Sequence, residues 1–187
     1  MKKNKIGIII GSLRRESWNR KIAELLISMA PSSLDMEIIE INQLSLYNQD
    51  EDENPPKFST AFKAKIKAVD GLLFLTPEYN RSLPGVLKNA LDVASRPYGQ
   101  SAWDGKPGAI ISVSPGAIGG FGANHHLRQI LMYLNVPCLN QPEIYLSNVA
   151  ALFDKDGKFN NQNTKEFLGK FLDAFADWVA MFQTDKR

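Results

Sequence analysis

The sequence predicts an α/β fold in which one sheet of five parallel strands, ordered 2-1-3-4-5, is covered by helices on both faces. Three observations lead there. Short apolar runs alternate with helical patterns along the chain. Several of those runs are apolar at every position, the mark of central strands buried on both sides. Strands that alternate with helices fold as right-handed βαβ units on a parallel sheet. At 187 residues the chain has the length of one domain, spanning 1–187, and it carries no internal repeat and no linker.

The strands are expected at Ile6–Ile10, Met36–Ile41, Gly71–Thr76 and Gly108–Val113, with a weaker one around Val136–Leu146. Between them lie stripes at helical spacing. Ile22, Leu25, Leu26 and Met29 mark the first helix, and Phe58, Phe62, Ile66 and Val69 the second. Leu87, Ala90, Leu91 and Ala94 mark the third; Leu127, Ile130, Leu131 and Leu134 the fourth. The last is the clearest, with Phe167, Leu168, Phe171, Leu172, Phe175, Trp178, Val179 and Phe182 on one face. Asn163 is its expected N-cap, with Glu166 at the third position in capping-box fashion. Five strands connected in this way fit a flavodoxin-like three-layer sandwich.

Bulk properties exclude several classes. The 22 Lys and Arg residues against 20 Asp and Glu are too balanced for a nucleic-acid binder. One cysteine, Cys138, cannot form an intrachain disulfide, which is compatible with a reducing compartment. MKKNK resembles the basic start of a signal peptide, but the IGIII run behind it is too short to complete one. No stretch approaches the ~20 apolar residues that span a bilayer. The expected location is the cytoplasm, with no membrane partner. The acidic stretch Asp50–Glu53 reads as a solvated loop.

Ligands of such sheets bind beyond the carboxyl ends of the strands, beside strand 1, where the loops after strands 1, 3 and 4 meet. The first loop, GSLRRESWN at 11–19, opens a helix, whose unpaired N–H groups and positive dipole end suit an anion. Ser12, Ser17 and Asn19 add short donors and Arg14 a charged one. The glycine patterns that cradle a triphosphate or a pyrophosphate are missing, so a terminal monophosphate fits better. Alternatively, Ser17 or Asn19 caps the helix and Arg14 stands in solvent. The second loop, TPEYNRSLPG at 76–85, is stiffened by Pro77 and Pro84, the latter suited to the first turn of the next helix. Tyr79 and Asn80 offer an aromatic face and an amide to a flat heteroaromatic ring. The third loop, SPGAIGGFG at 114–122, has four glycines that would leave bare backbone against a ligand edge. A phosphate at one end and a planar ring at the other describe FMN.

The same stretches resemble the NADPH-dependent FMN reductase family, which includes bacterial quinone, azo-dye and chromate reductases. The matches are GSLRRESWN, LTPEYNRSLPGVLKNALD and SPGAIGGFGANHHLRQIL in the family's order, with NQPEIYL before the last helix. The resemblance implies that Ser12, Arg14, Ser17 and Asn19 hold the FMN phosphate, with Leu13 and Trp18 in the same loop. It implies that Pro77, Glu78, Tyr79 and Asn80 border the isoalloxazine, with Ser114 and Gly116 along another edge. It further implies NADPH or NADH as donor, a quinone, azo compound or similar small oxidant as acceptor, ping-pong turnover, and a homodimer that pairs into a tetramer in some members. The chemistry belongs to the flavin, so no side chain is named as a general acid or base. The competing classes are a flavodoxin-type electron carrier and a nucleotide-binding regulatory protein. Carriers are typically strongly acidic and bind phosphate without arginine; this chain is near neutral and has Arg14.

Other conspicuous residues are given quieter roles. His125 and His126 are adjacent on a helix and diverge, so they are expected at a subunit contact or on the surface, with no metal site. Cys138 is expected as a buried small hydrophobe. Trp103 either approaches a neighbouring subunit's pocket or packs on the surface before strand 4, and Trp178 belongs to the core.

Overall fold

The computed structural model describes residues 3–183, so Met1 and Lys2 of the basic N-terminal segment lie outside the described residues. Strands β1 (Asn4–Ile10), β2 (Leu34–Ile38), β3 (Gly71–Thr76), β4 (Gly108–Val113) and β5 (Ile144–Leu146) form a parallel sheet ordered β2-β1-β3-β4-β5. The helices are α1 (Trp18–Met29), α2 (Lys57–Ala68), α3 (Gly85–Ser95), α4 (Phe121–Tyr133) and α5 (Gln162–Met181). The architecture is the flavodoxin-like one, in the expected strand order.

Each central strand feeds two cores, which is why its sequence is apolar throughout. Ile8 and Ile10, Leu73 and Leu75, and Ile111 and Val113 face α1 and α5. Ile9, Leu72, Phe74 and Ile110 face α2, α3 and α4. On the first side Ile22 and Leu26 of α1 meet Leu168, Phe171, Leu172, Phe175 and Val179 of α5. On the second, Phe62 and Ile66, Leu87 and Leu91, and Leu127 and Leu131 supply the three helix stripes. Burying each such side chain contributes about 1.5–3 kcal/mol before conformational entropy is subtracted.

Several local expectations need correction. The second strand ends at Ile38 rather than Ile41, although Ile39 and Ile41 remain buried. The weak fifth strand contracts to three residues, because Pro137 and Pro142 supply no backbone N–H to a ladder. Only Cys138 forms a further bridge, to Gly108. Helix α5 starts earlier than expected: Asn161 is the N-cap, its side chain accepting from Thr164 N–H at 2.9 Å, and Asn163 lies inside the helix. Glu166 accepts from Gln162 instead of closing a capping box. Pro84 is itself the N-cap of α3, not a first-turn residue. Phe58 and Phe167 project from their stripes and are exposed.

Trp103 is the largest correction. It is wholly buried between Phe62 and Phe74, with its indole N–H donating to Leu91 O at 2.9 Å. It therefore reaches no neighbouring subunit. Trp178 is half-buried, and its indole N–H donates to Pro137 O at 3.0 Å. Within the acidic stretch, Gln49–Glu51 form a short 3₁₀ turn and the Asp52 carboxylate accepts from the Tyr47 hydroxyl. Among the described residues, no helix is long and apolar enough to cross a membrane.

Candidate functional site

The carboxyl ends of β1, β3 and β4 bring three loops to one cleft. Its walls are Ser12, Arg14, Ser17, Trp18 and Asn19 from the first loop, Pro77, Glu78 and Tyr79 from the second, and Val113, Ser114 and Pro115 from the third. Nine of the expected site residues thus converge, whereas Leu13, Asn80 and Gly116 stand outside the lining. Val113 and Pro115 join them, and their only sequence signal is that they flank Ser114 at a strand end.

The first loop is arranged around unpaired donors. Ser17 is the N-cap of α1, its Oγ accepting from Arg20 N–H at 3.3 Å. That settles the capping alternative for Ser17 and leaves its hydroxyl proton free to donate. Among the described residues, the N–H groups of residues 12–16 and of Trp18 and Asn19 donate to no protein acceptor. Arg14 is exposed and has no ion pair among the described residues, while the neighbouring Arg20 donates from Nη2 to both carboxylate oxygens of Glu40 at 2.8 Å. Asn19 is 3% exposed, and its buried Oδ1 has no hydrogen-bond partner. A buried acceptor left unpaired costs about 1–3 kcal/mol, so this atom calls for a ligand donor. A ribityl hydroxyl would satisfy it; with the amide rotated, its NH₂ would meet a phosphate oxygen instead. These groups fit a phosphate with a hydroxylated chain attached. Trp18 closes the base of the loop against Phe153, ring centroids 5.0 Å apart, with Lys21 Nζ 4.9 Å from its face.

The second loop is a tight reversal. Tyr79 and Ser82 exchange backbone hydrogen bonds of 2.9 and 3.0 Å across Asn80 and Arg81. Both intervening residues are left-handed, with φ of 51° and 64°. Neither is glycine, and left-handed backbone costs an L-residue about 1–2 kcal/mol, less for Asn. Tyr79 is half exposed, presenting its ring to solvent beside the cleft. The Glu78 carboxylate is only 11% exposed, and both oxygens are engaged by protein, as taken up below.

The third loop corrects the expectation of bare backbone. Gly119 and Gly120 have φ of 65° and 77°, and a Cβ on them would lie 3.0 Å from Tyr145 and Ser112 respectively. These glycines serve close packing of the loop on the sheet end. The Gly116 N–H is already taken by Ser114 Oγ at 3.0 Å.

The cleft volume is about 170 Å³, below the ~300–1,000 Å³ that encloses a whole small ligand. It has room for a phosphate and its chain, and Tyr79, half exposed, stands at its edge. A larger hollow of about 420 Å³ lies by Tyr98, Asp104 and Tyr133, at the amino end of β4 and remote from the three loops. Strand topology favours the smaller one.

The remaining candidates carry no reaction chemistry. His126 Nδ1 lies 2.8 Å from Ser82 Oγ and His125 Nε2 3.0 Å from the Tyr145 hydroxyl, both at the surface. Burial, with Glu143 beside it, pushes the Tyr145 hydroxyl up to about 12. Burial likewise pushes the Cys138 thiol up to about 11, so it stays protonated at neutral pH and is a poor nucleophile. Among the described residues, no three His, Cys, Asp or Glu side chains cluster as metal ligands.

Residues 4–151 match the model of the NADPH-dependent FMN reductase family. A quinone reductase of Pseudomonas putida is 56% identical over 177 residues, covering 94% of this chain and 95% of its own. A 2-hydroxy-1,4-benzoquinone reductase of a Burkholderia species is 50% identical over 175 residues, covering 94% and 96%. Among solved structures, FerB of Paracoccus denitrificans, a flavoenzyme NAD(P)H:(acceptor) oxidoreductase, superposes with a TM-score of 0.90 at 38% identity, covering 96% and 98%.

Proposed function

The chain belongs to the NADPH-dependent FMN reductase family, and from that premise we propose that it is an NAD(P)H-dependent quinone oxidoreductase acting by a ping-pong mechanism. It is an oxidoreductase, and its cofactor is FMN. When bound, FMN supplies the redox chemistry, taking a hydride from NADPH or NADH and passing electrons to the acceptor. The observation that carries the reading is the convergence of three loops on one cleft containing unpaired N–H groups and an orphaned buried amide oxygen. The quinone comes from the relatives' names; azo compounds and similar small oxidants extend the same class.

The chain's own contribution is binding, orientation and access. Ser12, Arg14, Ser17, Asn19 and the first N–H groups of α1 hold the phosphate, with Leu13 and Trp18 shaping the loop. Pro77, Tyr79 and Asn80 border the ring, Glu78 fixes their turn, and Ser114 and Gly116 approach another edge. Residues 1–187 act as one FMN-binding domain in the cytoplasm. The unit is a homodimer able to pair further, and exposed Tyr98, Met132 and Tyr133 support such contacts.

A visible spectrum of the purified protein, followed by anaerobic NADPH and NADH titrations, tests the assignment. Rapid bleaching of a bound-flavin spectrum is expected. A flavin that stays oxidised until a partner reductase is added would make the protein a flavodoxin-type carrier. FMN should bind far better than FAD, because the first loop lacks the glycines that admit a pyrophosphate. Equal or tighter FAD binding in a fluorescence titration would refute the one-phosphate site.

Arg14→Ala should weaken FMN binding by about 1.5–3 kcal/mol, the range for a hydrogen bond to a charged group. Its side chain is exposed, so the fold should persist. Unchanged FMN affinity in the folded variant would return Arg14 to the solvent.

A further inference from the structure

We infer that Glu78 and Gly122 are positioning residues that set the Tyr79–Asn80 turn from the N-terminus of helix α4; this rests on the reading that the turn borders the flavin. The turn follows β3 directly and contains two left-handed residues that are not glycine, so its own backbone preference does not hold it in place. Glu78 does. One carboxylate oxygen accepts from Ala123 N–H at 2.9 Å, 45 residues away, and the other from the Arg81 guanidinium at 3.1 Å. Ala123 is the third residue of α4, whose N-cap, Gly120, has no side chain to offer. Glu78 thus supplies, from another loop, the charged acceptor that a helix N-terminus favours. Ser82 adds a second tether through His126 Nδ1 at 2.8 Å, again on α4.

Gly122 explains itself only through this clamp. It is the second residue of α4, where alanine is the better helix former. A Cβ there would lie 2.9 Å from Glu78 Oε2 and 3.0 Å from the Arg81 carbonyl oxygen. One methyl would press on both ends of the clamp at once. Both oxygens of Glu78 are thus engaged by protein, one by Ala123 and the other by Arg81.

The test uses the FMN-loaded enzyme with NADPH and 1,4-benzoquinone, together with amide hydrogen exchange on the apoprotein. Gly122→Ala should raise both KM values about tenfold while FMN Kd moves less than about threefold, since small misplacements at a reacting surface are costly. The thermal midpoint should not fall, and exchange at the Ala123, Tyr79 and Ser82 amides should quicken. Glu78→Ala should raise the KM values and quicken exchange likewise, with a lower thermal midpoint because Ala123 N–H loses its acceptor; Glu78→Gln, which keeps an oxygen for that N–H, should recover most of these losses. KM values within about twofold of wild type in Gly122→Ala, or a Gln variant as impaired as Ala, would overturn the clamp. If the unmutated protein binds FMN without NADPH turnover, the reductase reading fails instead, and the exchange rates still decide the clamp.

Discussion

Trp103→Ala is expected to lower stability by about 3–5 kcal/mol, the range for removing a buried Trp or Phe side chain. Trp103 is 0% exposed, packs edge-on to Phe62 at 6.0 Å and tilted to Phe74 at 5.9 Å, and donates to Leu91 O. It joins α2, α3 and β3 through one side chain. The variant would lose the transfer energy of the indole and leave a cavity that three separate elements cannot all close. Against a typical total of 5–15 kcal/mol, that is about a fifth or more of the stability. Trp103→Phe, which keeps most of the volume but not the N–H donor, should lose much less. Urea unfolding monitored by far-UV circular dichroism measures both. A loss under about 1 kcal/mol for the alanine variant would mean the loop swings out without cost to the core.

Trp103 also marks where the sequence stopped being legible. The central strands could be read because β1, β3 and β4 are covered on both faces and so are apolar at every position. The helices could be read because each buries one stripe. A loop residue that turns back into the core obeys neither period, and the polar neighbours in SAWDGKP disguised it. The edge strand β2 departs from the sequence pattern for a related reason. Ile39 still donates its N–H to Ile8 O at 2.9 Å, but Ile41 is buried by packing beyond the ladder, so apolar character outran hydrogen bonding. At α5, Asn161 and Asn163 both offer a capping side chain, and composition does not choose between them.

The site divides along the same line. Ser12, Arg14, Ser17 and Asn19 lie within eight residues at a strand-to-helix junction, so their convergence is local and could be anticipated. The task of Glu78 depends on Ala123, and that of Gly119 on Tyr145, contacts made only once the sheet has assembled. The glycine-rich loop announced that side chains were excluded there. It did not announce that the excluding surface is the protein's own.

Initial rates with NAD(P)H varied at several fixed 1,4-benzoquinone concentrations are expected to give parallel double-reciprocal lines. On the proposed reading the three loops take the phosphate end of FMN and the edges of its ring; Tyr79, half exposed, lines the cleft and would border the side left open. If donor and acceptor share that side, as proposed, one has to leave before the other can bind productively. Tyr79→Ala should therefore change KM for both substrates together, and by more than it changes FMN affinity, because the phosphate contacts lie in the first loop. Tyr79 makes its turn through backbone hydrogen bonds that alanine retains, so the effect should come from the lost ring. An aromatic contact worth about 0.5–1.5 kcal/mol beyond burial puts each KM change at roughly two- to tenfold. Initial-rate analysis and a fluorescence titration of FMN on the same variant separate the two quantities. Intersecting lines with a detected ternary complex would remove the shared side while leaving the flavoprotein intact, since donor and acceptor would then reach the ring from different directions.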